Sequence, residues 1–229
     1  MNPIAAYNGK AADYATYRLP YAGEILEAVS KITGLDSTWR MADIASGTGR
    51  VSEIFVGHVA RVLAVEPNGE MREQANRLLN ARSAFESVDG TAEHTTLPAA
   101  SVDLITVGQA WHWFNPQAAV SEFRRILKPE GWVALIWNRL GNEDDIDISP
   151  LFAPGETTRM AFPMVAEESW EQYIGGTRST AAAPSISDPA YLGFEQDQRR
   201  IFDSRAVNGM FTVEYRTEIV AGRLHCSGI

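Results

Sequence analysis

The amino-acid sequence predicts an α/β protein in which a doubly wound, mostly parallel seven-stranded sheet carries helices on both faces. Three observations support this prediction. Short apolar stretches alternate with amphipathic helical stretches over residues 40–138. A turn containing two glycines, residues 45–49, follows the first apolar stretch. Acidic residues, Asp43 and Glu66, stand at the ends of the first two predicted strands, and open parallel sheets bind ligands beyond the carboxyl ends of their strands.

Composition limits the class of protein. The 229 residues are 45% hydrophobic and 21% charged, which is typical of one globular domain over residues 1–229. A net charge of −9 disfavours binding to nucleic-acid phosphates. The single cysteine, Cys226, excludes an intrachain disulfide, and the histidines are too scattered for a metal cluster. Without a signal-peptide pattern or a long apolar run, we expect a cytoplasmic enzyme with a small-molecule substrate and no membrane or nucleic-acid partner.

Residues 1–35 form the predicted N-terminal cap. Tyr14 and Tyr17 precede an amphipathic helix over about residues 23–32, which Gly34 ends as a C-cap residue. Two interpretations remain open for the aromatic stretch. The rings either pack this helix onto the sheet or form a lid over a bound ligand.

The segment 36–138 is the predicted ligand-binding core. Gly47 and Gly49 allow the backbone after the first strand to turn tightly and approach a ligand closely. A helix follows from about residue 50 to residue 57. Glu66 ends the second strand, where a carboxylate can accept both hydroxyls of a ribose. The segment is therefore predicted to bind a nucleoside cofactor.

The loop sequence also limits which nucleoside is bound. A dinucleotide fingerprint would have a third glycine at the position of Ser52. The chain lacks the Lys-Ser/Thr pair of a nucleoside-triphosphate loop. Asp43, directly before the turn, suits a cationic ligand better than a pyrophosphate. These features favour S-adenosylmethionine, which carries a sulfonium and an ammonium group.

The other elements follow in order along the chain. A helix with Met71, Ala75, Leu78 and Leu79 on one face is expected after the second strand, and Asn115 caps a helix that ends near Leu127. The predicted strands cover about residues 40–45, 61–66, 84–88, 101–108, 132–137, 160–165 and 211–223.

The segment 139–229 is expected to supply the substrate side. Residues 141–147 form an acidic loop, and helices are predicted over about 167–174 and 188–202. Residues 175–179 are predicted to form a flexible turn because they begin with two glycines. The final strand, 211–223, is expected at the edge of the sheet, antiparallel to the sixth strand.

Several of these motifs together resemble the class I S-adenosylmethionine-dependent methyltransferases, which have a Rossmann-like fold. Residues 43–49, Asp-Ile-Ala-Ser-Gly-Thr-Gly, resemble the first family motif, with Ala45 in place of its first glycine. Glu66-Pro67-Asn68 followed by Met71 resembles the second motif, and residues 90–98 resemble the adenine loop. The resemblance implies that the cofactor contacts come from Asp43, Ala45, Ser46, Gly47, Gly49, Glu66, Pro67, Asn68, Met71, Thr91, Ala92 and Gln109, with Arg18 on the cofactor carboxylate.

The run of residues 110–114, Ala-Trp-His-Trp-Phe, resembles the branch described as methyltransferase type 11, which includes trans-aconitate methyltransferase-like enzymes. That branch methylates small molecules, commonly acids. His112 could act as a general base, orient a substrate or hydrogen-bond the scaffold. The predicted substrate contacts are Tyr14, Tyr17, Trp111, His112, Trp113, Trp137 and Asn138. Two other functions remain open: an S-adenosylmethionine-binding protein without catalysis, and an NAD-dependent oxidoreductase.

Overall fold

A computed structural model describes residues 4–141 and 146–225 of the chain. The helices alternate with the strands through the first two thirds of the chain, as predicted. Two short 3-10 turns, Ala5–Tyr7 and Trp111–Trp113, accompany them. The α-helices are α1 (Ala11–Tyr17), α2 (Ile25–Thr33), α3 (Arg50–Phe55), α4 (Gly69–Leu79), α5 (Pro116–Ile126), α6 (Trp170–Arg178) and α7 (Tyr191–Arg205).

The strands form one seven-stranded sheet in the order β3-β2-β1-β4-β5-β7-β6. Strands β1 to β5 pair in parallel, whereas β7 is antiparallel to both β5 and β6. The doubly wound, Rossmann-like α/β fold is therefore confirmed. The strands are β1 (Arg40–Ile44), β2 (Arg61–Val65), β3 (Phe85–Val88), β4 (Val102–Gly108), β5 (Leu127–Leu140), β6 (Thr157–Glu168) and β7 (Phe211–Gly222).

The sheet is covered on both faces, which explains why its central strands are apolar along most of their length. Residues 41–44 of β1 are all buried. Ile44 packs into one core with α5, and Met41 packs into the other core with α2 and α3. This arrangement fixes the carboxyl ends of β1, β2 and β4 along one edge, where the predicted site lies.

The last two strands differ from the prediction in position. Strand β7 pairs with β6 as expected, but it lies between β5 and β6, so that β6 occupies the edge. Pro163 interrupts the N–H groups of this edge strand, a common feature of exposed edges.

The predicted flexible turn at residues 175–179 is wrong. Gly175 to Arg178 continue α6, which begins at Trp170 after a capping box formed by Ser169 and Gln172. Gly175 is buried, and a Cβ atom built on it would lie 2.3 Å from Cδ2 of Tyr17. The glycine therefore allows α1 to approach α6 closely.

Smaller differences have local causes. Helix α3 ends at Phe55, two residues earlier than predicted. Leu78 of α4 is 58% exposed, so it does not share the buried face of Met71 and Leu79. Helix α7 begins at Tyr191, three residues later than predicted, and the Asp188 carboxylate accepts from the N–H of Ala190 in the turn before it. Residues 142–145 of the predicted acidic loop and Cys226 lie outside the described residues.

Candidate active site

The turn after β1 has the backbone conformation that its sequence suggests. Gly47 and Gly49 have φ values of +56° and +83°. Ala45 also lies in the left-handed region, at φ +54°, although its Cβ atom disfavours this conformation. This strain explains why the first motif of the family that the sequence resembles has glycine at the position of Ala45. Gly49 also packs closely against α4, since a Cβ atom on it would lie 2.8 Å from Leu79 Cδ1.

Asp43 lies buried beneath this turn and is hydrogen-bonded to residues of α3 and β4. Its carboxylate is 1% exposed and accepts hydrogen bonds from the backbone N–H and hydroxyl of Ser52 and from the hydroxyl of Thr106. Burial raises the pKa of Asp43 to about 6, although these hydrogen bonds oppose the shift. A glycine at position 52 would lose the hydroxyl bond, so Ser52 ties α3 to β1 in a different way from a dinucleotide-binding loop.

Glu66 stands at the end of β2 and is also buried. One carboxylate oxygen accepts from the N–H of Gly47 at 2.9 Å, and the other accepts from the N–H of Asn68 at 2.8 Å. Burial raises the pKa of Glu66, and the two backbone N–H groups limit the rise. Each oxygen keeps a further lone pair, so the carboxylate can still accept two hydroxyl groups.

A small cavity of about 160 Å³ lies beside Glu66. Its wall combines the Glu66 carboxylate with mainly apolar and small side chains. The predicted cofactor residues on this wall are Ala45, Gly47, Glu66, Pro67, Asn68, Met71, Thr91, Ala92 and Gln109. The hydroxyl of Thr91 accepts from the N–H of His94, which leaves its own proton free to donate.

A second, larger cavity of about 1300 Å³ adjoins the small one. The two cavities share Ala45, Gly47, Gln109 and the aromatic rings of Tyr14 and Trp113. Predicted residues that line only the larger cavity are Tyr17, Arg18, Asp43, Ser46, His112 and Asn138. Gly49 lines neither cavity, because it packs against α4.

The N-terminal segment lies over both cavities and is held by hydrogen bonds to several other parts of the chain. Near its start, the N–H of Gly9 donates to the Glu70 carboxylate. The Lys10 ammonium donates to the carbonyls of Thr180 and Ala183, both at 2.7 Å. At its end, the Asn138 amide donates to the carbonyl oxygens of residues 19 and 20. The Tyr17 ring packs on α6, a contact that neither interpretation of the aromatic stretch included, and the lid over a bound ligand stays a prediction.

Two polar atoms of residues that line the larger cavity are buried without a hydrogen-bond partner among the described residues. They are Nε of Arg18 and the hydroxyl of Ser46. The Arg18 guanidinium lies over the ring of Tyr14 at 4.8 Å and makes one long bond to the Ser179 carbonyl. Buried polar atoms usually have partners, so this pair leaves room for a polar ligand group.

The aromatic run after β4 divides between the core and the cavities. Trp113 lines both cavities, and His112 is exposed and lines the larger one. Partial loss of water lowers the pKa of His112. Trp111 lines neither cavity, because its ring packs in the core and its indole N–H donates to the carbonyl of Asp147.

Trp137 and Asn138, two further predicted substrate contacts, lie in different environments. Trp137 is 3% exposed within the core and lines neither cavity, so its expected substrate role is corrected together with that of Trp111. Asn138 lines the larger cavity, but its side chain is occupied: besides its two donated bonds, its amide oxygen accepts from the hydroxyl of Thr217. Asn138 therefore holds the roof in place.

Sequence reasoning missed much of the larger cavity. Among the described residues its wall also includes Tyr7, Tyr21, Arg50, Glu168, Tyr173, Arg205 and Phe211. Tyr173 lies in the helix predicted over about residues 167–174, but its place on the cavity wall was not predicted. No local pattern indicated that the ends of β6 and β7 would face the carboxyl edge of β1.

The sheet order and the position of the cavities are those of the Rossmann-like fold that the resemblance implied. Residues 42–135 match the family described as Methyltransferase domain. This match covers less than half of the chain, and over these residues it agrees with the predicted resemblance to the class I S-adenosylmethionine-dependent methyltransferases.

Comparison with known proteins agrees with this family. The chain is 38% identical to an uncharacterized methyltransferase of Mycobacterium tuberculosis over 99 residues, which cover 43% of this chain and 40% of that protein. A structure from Anaeromyxobacter dehalogenans, described as a candidate type II methyltransferase, has a TM-score of 0.64 at 18% identity, covering 91% of this chain and 98% of that one. A methyltransferase from Thiobacillus denitrificans, solved with S-adenosylhomocysteine, has a TM-score of 0.55 at 13% identity, covering 92% and 96%.

Among the described residues, no helix is long and apolar enough to cross a membrane. The same part of the chain has no group of three His, Cys, Asp or Glu side chains that could hold a metal ion.

Proposed function

We propose that this chain transfers the methyl group of S-adenosylmethionine to a small-molecule acceptor. The observation that carries the proposal is the buried Glu66 carboxylate at the end of β2, held by two backbone N–H groups beside a small cavity. A carboxylate in this position suits the two hydroxyls of a ribose. The matched methyltransferase domain supports the same cofactor.

The residues that line the small cavity suit an adenosine group chemically. Met71, Ala92 and Phe114 offer apolar contacts to a base. Thr91 offers a hydroxyl at the same wall, and Glu66 offers the ribose acceptor. The unpartnered Arg18 Nε and Ser46 hydroxyl lie on the wall of the larger cavity, where they suit the carboxylate at the amino-acid end of the cofactor.

When bound beside Glu66, S-adenosylmethionine would supply an activated methyl group on a sulfonium, with a neutral thioether as the leaving group. The residues of the chain hold the two reactants in line and exclude water. Tyr14 and Trp113, shared by both cavities, provide aromatic walls that also favour a positive charge.

His112 is the proposed proton acceptor. Its imidazole lines the larger cavity, and its lowered pKa keeps it neutral, and thus able to accept a proton, near pH 7. An acceptor with a hydroxyl or ammonium group would release its proton to this ring or to water. Acceptors that are already deprotonated, such as carboxylates, would need no base.

Calorimetric titration tests the cofactor assignment. We expect saturable binding of S-adenosylmethionine and none of NAD. Glu66→Ala should weaken cofactor binding by about 1.5 to 3 kcal/mol, because a charged hydrogen-bond acceptor is lost. Glu73→Ala is the control, since this exposed residue of α4 pairs with Arg77 on the same helix. Unchanged affinity in Glu66→Ala would remove the ribose assignment, and saturable binding of NAD alone would reverse the choice of cofactor.

A second experiment separates an enzyme from a binding protein. The protein is incubated with methyl-labelled cofactor and fractionated metabolite pools, and the label is followed into products. Transfer to a small molecule supports the proposal. Tight cofactor binding without transfer to any pool would instead favour a binding protein without catalysis.

A further inference from the structure

Glu168 is the last residue of β6 and lines the larger cavity. It lies on the β6 edge strand, whereas the glycine turn, residues 45–49, follows β1. Its side chain is half-buried and lines the cavity. Among the described residues it has no hydrogen-bond or ion-pair partner, whereas its neighbour Glu167 accepts from the hydroxyl of Thr212. Burial raises the pKa of Glu168, since nothing nearby compensates for the lost water.

The other carboxylates on the cavity wall are unsuited to bind an acceptor. Asp43 is occupied by Ser52 and Thr106. Glu214 is exposed and keeps its water. Glu168 is therefore the carboxylate of this wall that is both shielded from water and free to accept.

The cations on the same wall are also accounted for. Arg50 donates to the carbonyls of Ala15 and Leu19. Arg18 suits the cofactor carboxylate, as proposed above. Arg205 is exposed at the end of α7, with its guanidinium over the ring of Phe211 at 4.6 Å.

Two aromatic rings line the part of the larger cavity near Glu168. Tyr173 and Phe211 both line it, with ring centroids 4.8 Å apart. Phe211 is also the residue that pairs with Glu168 across the β6–β7 ladder. A carboxylate beside aromatic rings favours an ammonium group, because the carboxylate accepts its N–H bonds and the rings attract its charge.

We infer that Glu168 binds an ammonium group of the methyl acceptor, so that the acceptor is an amine carried on an apolar frame. This inference rests on the proposed function, because it assigns the larger cavity to the acceptor. Glu168 acts as an anchor that selects and orients the acceptor, and the methylated atom need not be the anchored nitrogen. The assignment departs from the acids that the family resemblance suggested.

Three probes with a common phenyl frame test the assignment: 2-phenylethylamine, 2-phenylethanol and 3-phenylpropanoate. Their binding is measured by NMR titration, with and without S-adenosylhomocysteine. We expect the amine to bind at least tenfold more tightly than the carboxylate. Glu168→Gln, which keeps the size of the side chain, should remove this preference by weakening amine binding about tenfold or more.

Glu167→Gln is the matched control, because it makes the same charge change at the next position of β6, whose side chain lies on the other face of the strand. It should leave amine binding unchanged, and both variants should bind S-adenosylmethionine as the wild type does. Tighter binding of the carboxylate, lost in Arg205→Gln, would overturn the inference in favour of an acid. An amine preference that survives in Glu168→Gln would also overturn it. Failure of the protein to bind S-adenosylmethionine would count against the proposed function alone, since the amine titration without cofactor is read separately.

Discussion

Gly175 is the position at which the contact between α1 and α6 can be disturbed most selectively. A Cβ atom there would lie 2.3 Å from Cδ2 and 2.5 Å from Cγ of Tyr17. Because Cγ is the root of the ring, the whole ring must move to admit a methyl group. Gly193 is exposed on α7, and a Cβ atom there would have no neighbouring atom within 4 Å, so it provides a matched control.

The expected magnitude follows from two opposing contributions. Replacing glycine by alanine within a helix stabilises it by about 0.5 to 1 kcal/mol. Gly193→Ala should show this gain in the free energy of unfolding. Gly175→Ala gains the same amount but adds overpacking against Tyr17, which costs about 1 to 3 kcal/mol. The shared gain cancels, so the two variants should differ by about 1 to 3 kcal/mol.

Urea denaturation measures this difference, and limited proteolysis reports whether residues 11–17 leave α6 without global unfolding. Adding Tyr17→Ala to Gly175→Ala should restore part of the loss, since the clashing ring is gone. Equal stabilisation by both alanine variants, with α1 still protected from protease, would refute the close packing of α1 on α6. Displacement of α1 should also weaken cofactor binding, because α1 carries Tyr14 over the site.

Two further predictions concern the turn after β1. Ala45→Gly should stabilise the protein by about 0.5 to 1 kcal/mol in urea denaturation, because glycine adopts the left-handed conformation without strain, whereas Ala12→Gly in α1 should destabilise it by a similar amount. Asp43→Asn should change the pH dependence of stability. The pKa of Asp43 is raised from 3.8 to about 6 by burial, so its contribution is fully present below about pH 4 and is lost as the pH rises through 6. The stability of the wild type relative to Asp43→Asn should therefore fall by up to about 3 kcal/mol between pH 4 and pH 7, and a constant difference would contradict the buried carboxylate.

The turn after β1 and the position of Glu66 at the end of β2 could be predicted because their signals are local. Gly47 requires a positive φ that glycine provides at low cost, and Glu66 directly follows an apolar strand. Gly34 likewise ends α2 in the left-handed conformation, as expected for a C-cap residue. Each of these features depends on a few neighbouring residues, so the sequence pattern and the structure agree.

The wall of the larger cavity could not be predicted in the same way because its contacts are distant in sequence. Two consecutive glycines indicate a turn when considered locally. In the structure Gly175 and Gly176 lie within α6, where the missing Cβ atoms let the helix pack against Tyr17, more than 150 residues earlier in the chain. Trp111 and Trp113 are two residues apart, yet one lies in the core and the other lines both cavities. Because both residues are tryptophan, the residue type alone does not distinguish the buried position from the one on the cavity wall.

A crystal structure with S-adenosylhomocysteine tests the central claim most directly. The ribose hydroxyls should lie within hydrogen-bond distance of the Glu66 carboxylate, with the base in the small cavity. The amino-acid carboxylate should contact Arg18 and Ser46, and the sulfur should face the larger cavity on the side of His112. Ligand density elsewhere, or an adenosine group bound away from Glu66, would contradict the account.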